Sequence, residues 1–166
     1  ILVNNAGIIR RESSMEFSEK DWDDVFDINL KSLFFLSQAV AREYVKQGGG
    51  GKIVNIASML SFQGGIRVPS YTASKSGVLG LTRILACEWA PHGINVNGIA
   101  PGYMRTANTQ PIQDDPVRNQ QILDRIPAGH WGEADALQGA VVFLASHASS
   151  YMHGHTLAVD GGWLAR

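Results

Sequence analysis

Alternation constrains this chain more than any other feature. Short apolar runs at residues 1–3, 52–57, 95–100 and 156–159 stand between longer stretches whose apolar side chains recur at helical spacing. Runs that brief suit buried strands, whereas the longer stretches need helices. Residues 19–46 carry Trp22, Val25, Phe26, Leu30, Leu33, Phe34, Leu36 and Val40 in such a pattern. Residues 71–90 carry Val78, Leu79, Leu81, Ile84, Leu85 and Trp89, and residues 133–146 carry Leu137, Val141, Phe143 and Leu144. Strands alternating with helices are joined by right-handed crossovers into a parallel sheet. The expected class is α/β, with four strands and flanking helices.

Local signals set the boundaries. Ser18, followed by Glu19 and Asp21, reads as an N-cap with acidic residues in the first turn. The run Gly48-Gly49-Gly50-Gly51 ends the first long helix and turns the chain into a strand. Pro91-His92-Gly93 and Pro101-Gly102 punctuate the next two elements. Residues 103–132 are weakly patterned, with a short helix expected within 110–125; such a stretch suits a lid or binding loop. No repeat or linker divides the 166 residues, so 1–166 reads as a single domain.

A formal net charge of −1 gives no broad field for nucleic acid or an acidic membrane. No apolar run approaches the ~18 residues of a membrane span. The one cysteine, Cys87, precludes an intrachain disulfide and fits a reducing compartment, so a cytoplasmic protein is expected. Its place in an apolar helical pattern predicts burial.

The chemistry centres on Tyr71-Thr72-Ala73-Ser74-Lys75, with Ser58 at the end of the strand upstream. On a helix, Tyr71 and Lys75 stand one turn apart on one face. A phenol that titrates near ~10 is a poor base at neutral pH unless a cation favours its anion. Lys75 offers that cation, and a serine hydroxyl can hold an oxygen that exchanges a proton with the phenol. The spacing alone also occurs by chance on many helices. The surrounding stretches add to it: Asn4-Asn5-Ala6-Gly7, Asp27-Ile28-Asn29-Leu30, Ile53-Val54-Asn55-Ile56-Ala57-Ser58 and Pro101-Gly102-Tyr103-Met104-Arg105-Thr106. In this order they resemble the short-chain dehydrogenase/reductase family over essentially the whole chain. The segment from Ser58 to Tyr71 and the ending Val159-Asp160-Gly161-Gly162-Trp163-Leu164-Ala165-Arg166 resemble members that act on deoxy-keto sugar acids.

That resemblance implies a Rossmann-like doubly wound sheet and an NAD-dependent hydride transfer, with NADP not excluded, at a secondary alcohol or ketone of a deoxy-keto sugar acid. Tyr71 matches the general acid/base. Lys75 matches the lysine that holds the nicotinamide ribose and, with the oxidised ring's charge, lowers the phenol's pKa. Ser58 matches the serine that orients the substrate oxygen, and Asn29 the asparagine that helps to hold a relay water. A mid-helix asparagine is disfavoured, and a water site would offset its cost. Asn4, Ala6, Gly7, Ile56, Ala57, Tyr71, Lys75, Pro101, Gly102, Met104 and Thr106 are the expected cofactor contacts, Asn4 also tying strands together. Ser58, Tyr71, Arg67, Gln63 and Tyr103 are the expected substrate contacts. For a substrate carboxylate, Arg10, Arg11, Arg67, Arg105 and Arg125 are all candidates, with Arg67 first because it lies between Ser58 and Tyr71. His130 stands where the family usually has arginine, which puts an ion pair near the substrate loop in doubt. No histidine spacing suggests a metal site. A homotetramer is implied, with the segment ending in Trp163 and Leu164 at its interface.

The family's Gly-rich loop, where the cofactor pyrophosphate approaches a helix N-terminus, has no counterpart in these residues. The expectation is a C-terminal portion of the domain, resembling the family from its fourth strand onward, with residues 1–3 at an open sheet edge. Other readings are a sugar-alcohol or 3-oxoacyl reductase of the same family, or a non-catalytic fragment.

Overall fold

A computed structural model describes residues 1–166. Four strands, β1 (Leu2–Asn4), β2 (Gly51–Ile56), β3 (Ile94–Pro101) and β4 (Thr156–Val159), form one parallel sheet in the order β1-β2-β3-β4. The helices are α1 (Glu19–Phe26), α2 (Ser32–Gln47), α3 (Pro69–Trp89), the short α4 (Gln110–Gln113), α5 (Pro116–Leu123) and α6 (Gln138–Ala145). The α/β class and the four parallel strands are as the alternation predicts, and β4 has the predicted limits.

Side-chain alternation along the strands assigns the helices to faces. Ile53, Ile94 and Val96 pack with Ala41 of α2 and with Leu85 and Ala86 of α3. Val54 and Ile99 point the other way and pack with Leu144 of α6. Every residue of β3 from Ile94 to Ala100 is buried, as befits a strand covered on both sides. β1 pairs only with β2, and Ile1 is 75% exposed beside that open edge. A buried polar chain fixes β1 further: the Asn4 Nδ2 donates to Asn55 Oδ1 (2.8 Å) and Ser37 Oγ (2.9 Å), and Asn55 Nδ2 donates to Thr82 Oγ1 (3.0 Å).

Helix limits follow their caps. Ser18 Oγ accepts the Asp21 N–H at 3.1 Å and starts α1. Gly48, at φ 71°, closes α2 in the left-handed conformation that glycine adopts without a Cβ clash. The first helix is not uniform. Residues Asp27–Lys31 form a π-helical turn between α1 and α2, and Asn29 lies inside it. The expected helix within 110–125 divides into α4 and α5 because Pro116 opens a new first turn, capped by Asp115. Residues 134–137 form a 3-10 turn ahead of α6. Cys87 is exposed, contrary to expectation, because it falls on the α3 stripe shared by Gly80, Arg83 and Ile84 that turns away from the sheet.

Candidate active site

The carboxyl ends of β1, β2 and β3 open onto a cavity of about 520 Å³, roofed by residues 103–125 and by the C-terminal turn. Open α/β sheets place ligands at this end because the strand-to-helix loops gather there. Trp131, Ile122, Ile126, Met59 and Trp163 form the small apolar cluster that holds the roof together. The Trp131 indole donates to Asn119 Oδ1 at 2.7 Å, and Tyr103 sits edge-on to both Trp131 (5.2 Å) and Trp163 (4.8 Å).

Ser58, Tyr71 and Lys75 all line the cavity. Ser58 follows β2 and caps a 3-10 turn, its Oγ accepting the Leu60 N–H at 3.1 Å. Its hydroxyl proton is thereby left to donate elsewhere, and the influence of this hydroxyl on the Tyr71 phenol favours the phenolate. Tyr71 and Lys75 lie on the first turns of α3, Lys75 Nζ standing 5.7 Å from the Tyr71 ring centroid. Lys75 is 4% exposed and donates to the Ile56 carbonyl at 2.6 Å. Ser61 Oγ donates to the Lys75 carbonyl at 2.6 Å, locking the Ser58 loop onto this helix.

Burial governs both titrations. It pushes the Lys75 ammonium down to about 8. It also pushes the Tyr71 phenol up, against the opposing pull of the Ser58 hydroxyl and the Arg11 charge. In the chain by itself desolvation outweighs the attractions on this phenol, and those come from Ser58 and Arg11; the acidifying role of Lys75 is expected together with the oxidised ring's charge.

Asn29 is 1% exposed and does not line the cavity. Its Oδ1 accepts the Ile8 N–H (2.8 Å), while its Nδ2 donates to the Ile8 carbonyl (3.0 Å) and Ser74 Oγ (3.2 Å). The π turn offsets the cost of asparagine in a helix by aiming the amide at a loop it pairs with in both directions. A Cβ at Gly7 would stand 3.4 Å from Asn29 Oδ1 and 3.6 Å from Lys75 Nζ, so this loop runs close over the lysine.

Among the expected cofactor contacts, Gly7, Ile56, Ala57, Pro101, Gly102, Met104 and Thr106 line the cavity. Asn4 and Ala6 do not; Asn4 faces Asn55 and Ser37 instead, and its neighbour Asn5 lines the cavity. The strand-tying half of the Asn4 expectation is what the geometry displays. Sequence reasoning passed over Asn5 because adjacent asparagines in a turn carry no signal of which one faces inward.

Gln63 and Tyr103 line the cavity, but Arg67 does not. Arg67 sits at φ 61° and pairs with Glu12 (3.3 Å), its side chain 62% exposed. Arg10 pairs with Asp21 (3.3 Å) and Arg105 with Glu133 (3.0 Å), both outside the cavity. Arg11, Arg118 and Arg125 line it. Trp163, expected at a subunit interface, is 4% exposed and walls the cavity within this chain. His130 makes no ion pair and interacts through Nδ1 with the Trp131 carbonyl at 2.9 Å. No group of three His, Cys, Asp or Glu side chains is placed to hold a metal, and no helix is long and apolar enough to cross a membrane.

The order of motifs, the parallel sheet and this cavity define a class. The chain belongs to the short-chain dehydrogenase/reductase family. A profile of that family described as enoyl-(acyl carrier protein) reductase matches residues 1–164. A 2-dehydro-3-deoxy-D-gluconate 5-dehydrogenase of Dickeya dadantii is 71% identical over the whole chain, which covers 66% of that protein. The enzyme of the same name from Escherichia coli is 69% identical, with the same coverage. A crystal structure of an Agrobacterium tumefaciens protein assigned as a 2-deoxy-D-gluconate 3-dehydrogenase, with bound NADP, superposes with a TM-score of 0.98 at 65% identity; the match covers 99% of this chain and 67% of that one. The chain thus spans about two thirds of the length of the curated relatives it matches.

Proposed function

We propose that the protein containing this chain is an NAD(P)-dependent oxidoreductase that interconverts a secondary alcohol and a ketone on a deoxy-keto sugar acid of the 2-dehydro-3-deoxy-D-gluconate type. The observation that carries the reading is the convergence of Ser58, Tyr71 and Lys75 on one cavity at the carboxyl edge of the sheet. Identity of 71% and 69% to curated dehydrogenases of that substrate class supports it. The NADP bound by the Agrobacterium protein supports NADP as well as NAD.

The residues fit a nicotinamide cofactor. Ile56, Ala57, Pro101 and Met104 give the cavity an apolar wall that suits a flat ring, and Lys75 lines the same cavity. When bound, the nicotinamide supplies or accepts the hydride. Ser58 positions the substrate oxygen beside the phenol. Tyr71 gives that oxygen a proton during reduction and takes it during oxidation. The upward pull of burial keeps the phenol protonated at neutral pH, a state ready for the reductive direction. Lys75 offers its ammonium to ribose hydroxyls, and Asn29 acts as a positioning residue that sets the loop over the lysine.

A homotetramer in the cytoplasm is the assembly proposed. Exposed apolar side chains on α2 and α3, among them Phe35, Leu36 and Ile84, support burial against further copies. The test of function is a cofactor-fluorescence assay with NAD and NADP across 2-dehydro-3-deoxy-D-gluconate, its reduced partner, neutral sugar alcohols and 3-oxoacyl thioesters. Turnover confined to the sugar acids is expected; turnover of the thioesters alone would overturn the reading.

A further inference from the structure

The arginines of this chain divide by what they touch. Arg10, Arg67 and Arg105 have carboxylate partners, and none lines the cavity. Arg11, Arg118 and Arg125 line the cavity and have no carboxylate partner. With Lys75 they bring four cations to the cavity, and none of its 31 lining residues is Asp or Glu. A cleft lined by one sign of charge, with partly apolar walls, concentrates ligands of the opposite sign.

Arg11 donates to the Asn108 carbonyl at 2.9 Å and Arg118 to Gln121 Oε1 at 3.2 Å; Arg125 alone of the three is also stacked on an aromatic ring. Its guanidinium lies 4.0 Å from the Trp163 ring, and its Nη2 donates to Gln63 Oε1 at 3.1 Å. Trp163 is itself fixed: Asp160 accepts the Gly162 and Leu164 N–H groups at 2.9 Å each, which shapes the C-terminal turn. Arg166 then donates to the Asp124 and Arg125 carbonyls at 2.7 and 3.1 Å, tying that turn to the end of the α5 segment. A guanidinium stacked on an aromatic face and bonded to a neutral amide keeps its full charge and loses little side-chain freedom when it grips an anion. Arg118 lines the same cavity, as do Tyr103 and Trp163, whose rings stand 4.8 Å apart. Arg11 acts on Tyr71, at the reacting end.

We propose that Arg125, supported by Arg118, is the specificity determinant that anchors the substrate carboxylate at the Trp163 wall of the cavity, away from the reacting oxygen at Tyr71. This rests on the reading of the substrate as a sugar acid. The order of residues favours Arg67 for that role; its ion pair with Glu12 and its place outside the cavity remove it.

The test compares kcat/KM for 2-dehydro-3-deoxy-D-gluconate with that for the same sugar bearing a methyl ester, using the protein containing this chain. Wild type is expected to prefer the acid by at least about 30-fold, the size of effect that a bidentate charge-assisted pair supports. R125M is expected to raise KM for the acid at least tenfold and to erase most of that preference, with NAD(P)H affinity unchanged. R125K, which keeps the charge without the planar fork, is expected to fall between. R67A is expected to match wild type. If R125M and R125K keep the wild-type preference, or lower acid and ester equally, the assignment of Arg125 is overturned. If wild type itself does not distinguish acid from ester, the sugar-acid reading fails first, and the two failures are told apart.

Discussion

At the scale of single residues, burial is the force that decides the chemistry. Lys75 carries a charge into a site 4% exposed, and its ammonium is brought down to about 8. The sign of the consequence follows from proton counts. Between about pH 8 and the unfolded value near ~10.4, the unfolded chain holds a proton that the folded chain has released, so stability from this group rises with pH and is lowest below 8. Replacing Lys75 with Met removes that dependence. Urea unfolding at pH 7 to 10 is expected to show wild type gaining roughly 2–3 kcal/mol relative to Lys75→Met across the range; parallel curves would show that the ammonium is solvated. What was legible in the sequence at this scale was a grouping of Ser58, Tyr71 and Lys75, which line one cavity. What was not legible was the balance of forces on them. The i,i+4 spacing suggests a cation beside the phenol, but it carries no sign of the depth of Tyr71, a tertiary property that pushes the phenol up in the chain by itself. Arg67 and Arg125 show the same limit. Proximity in sequence favoured Arg67, but Arg125 reaches the cavity across 62 residues to bond Gln63.

At the scale of elements, periodicity and breakers placed every strand and long helix, and cap chemistry placed several ends. The misses have local causes. The π turn around Asn29 leaves the apolar spacing of the flanking helices intact, so no hydrophobic pattern reports it. Cys87 sits one step beyond the buried pair Leu85 and Ala86, where a 3.6-residue period changes face. The glycine run stops the helix as its composition predicts, yet its members differ. Gly48 and Gly50 hold φ of 71° and 67°, and a Cβ on Gly50 would collide with the Gly93 carbonyl. Gly49 has neither constraint. Alanine at 49 is expected to change stability by less than about 0.5 kcal/mol, at 48 to cost about 1 kcal/mol, and at 50 to cost more than about 2 kcal/mol. Denaturant midpoints of the three variants check that order, and equal costs would mean that the turn rearranges freely.

At the scale of the whole molecule, the fold turns scattered residues into one site. Ser58 arrives from the end of β2, Tyr71 and Lys75 from the start of α3, and the roof from residues 103–125 and the C-terminal turn. The sheet and its order of motifs were legible because each strand and helix announces itself locally. The roof was legible only as an unpatterned stretch, since what organises it is packing among Met59, Ile122, Trp131 and Trp163, residues distant in sequence. The central claim is that Ser58 and Tyr71 act as one proton-transferring unit on an oxygen held between them. The most direct measurement is kcat for sugar-acid turnover in Ser58→Ala, Tyr71→Phe and the double variant, with NAD(P)H affinity measured in each. Residues that act as a unit give non-additive losses. The account predicts that each single change lowers kcat by about 10²-fold or more, that the double variant falls little further, and that cofactor affinity holds within about threefold. Tyr71→Phe turning over within a few fold of wild type would contradict it.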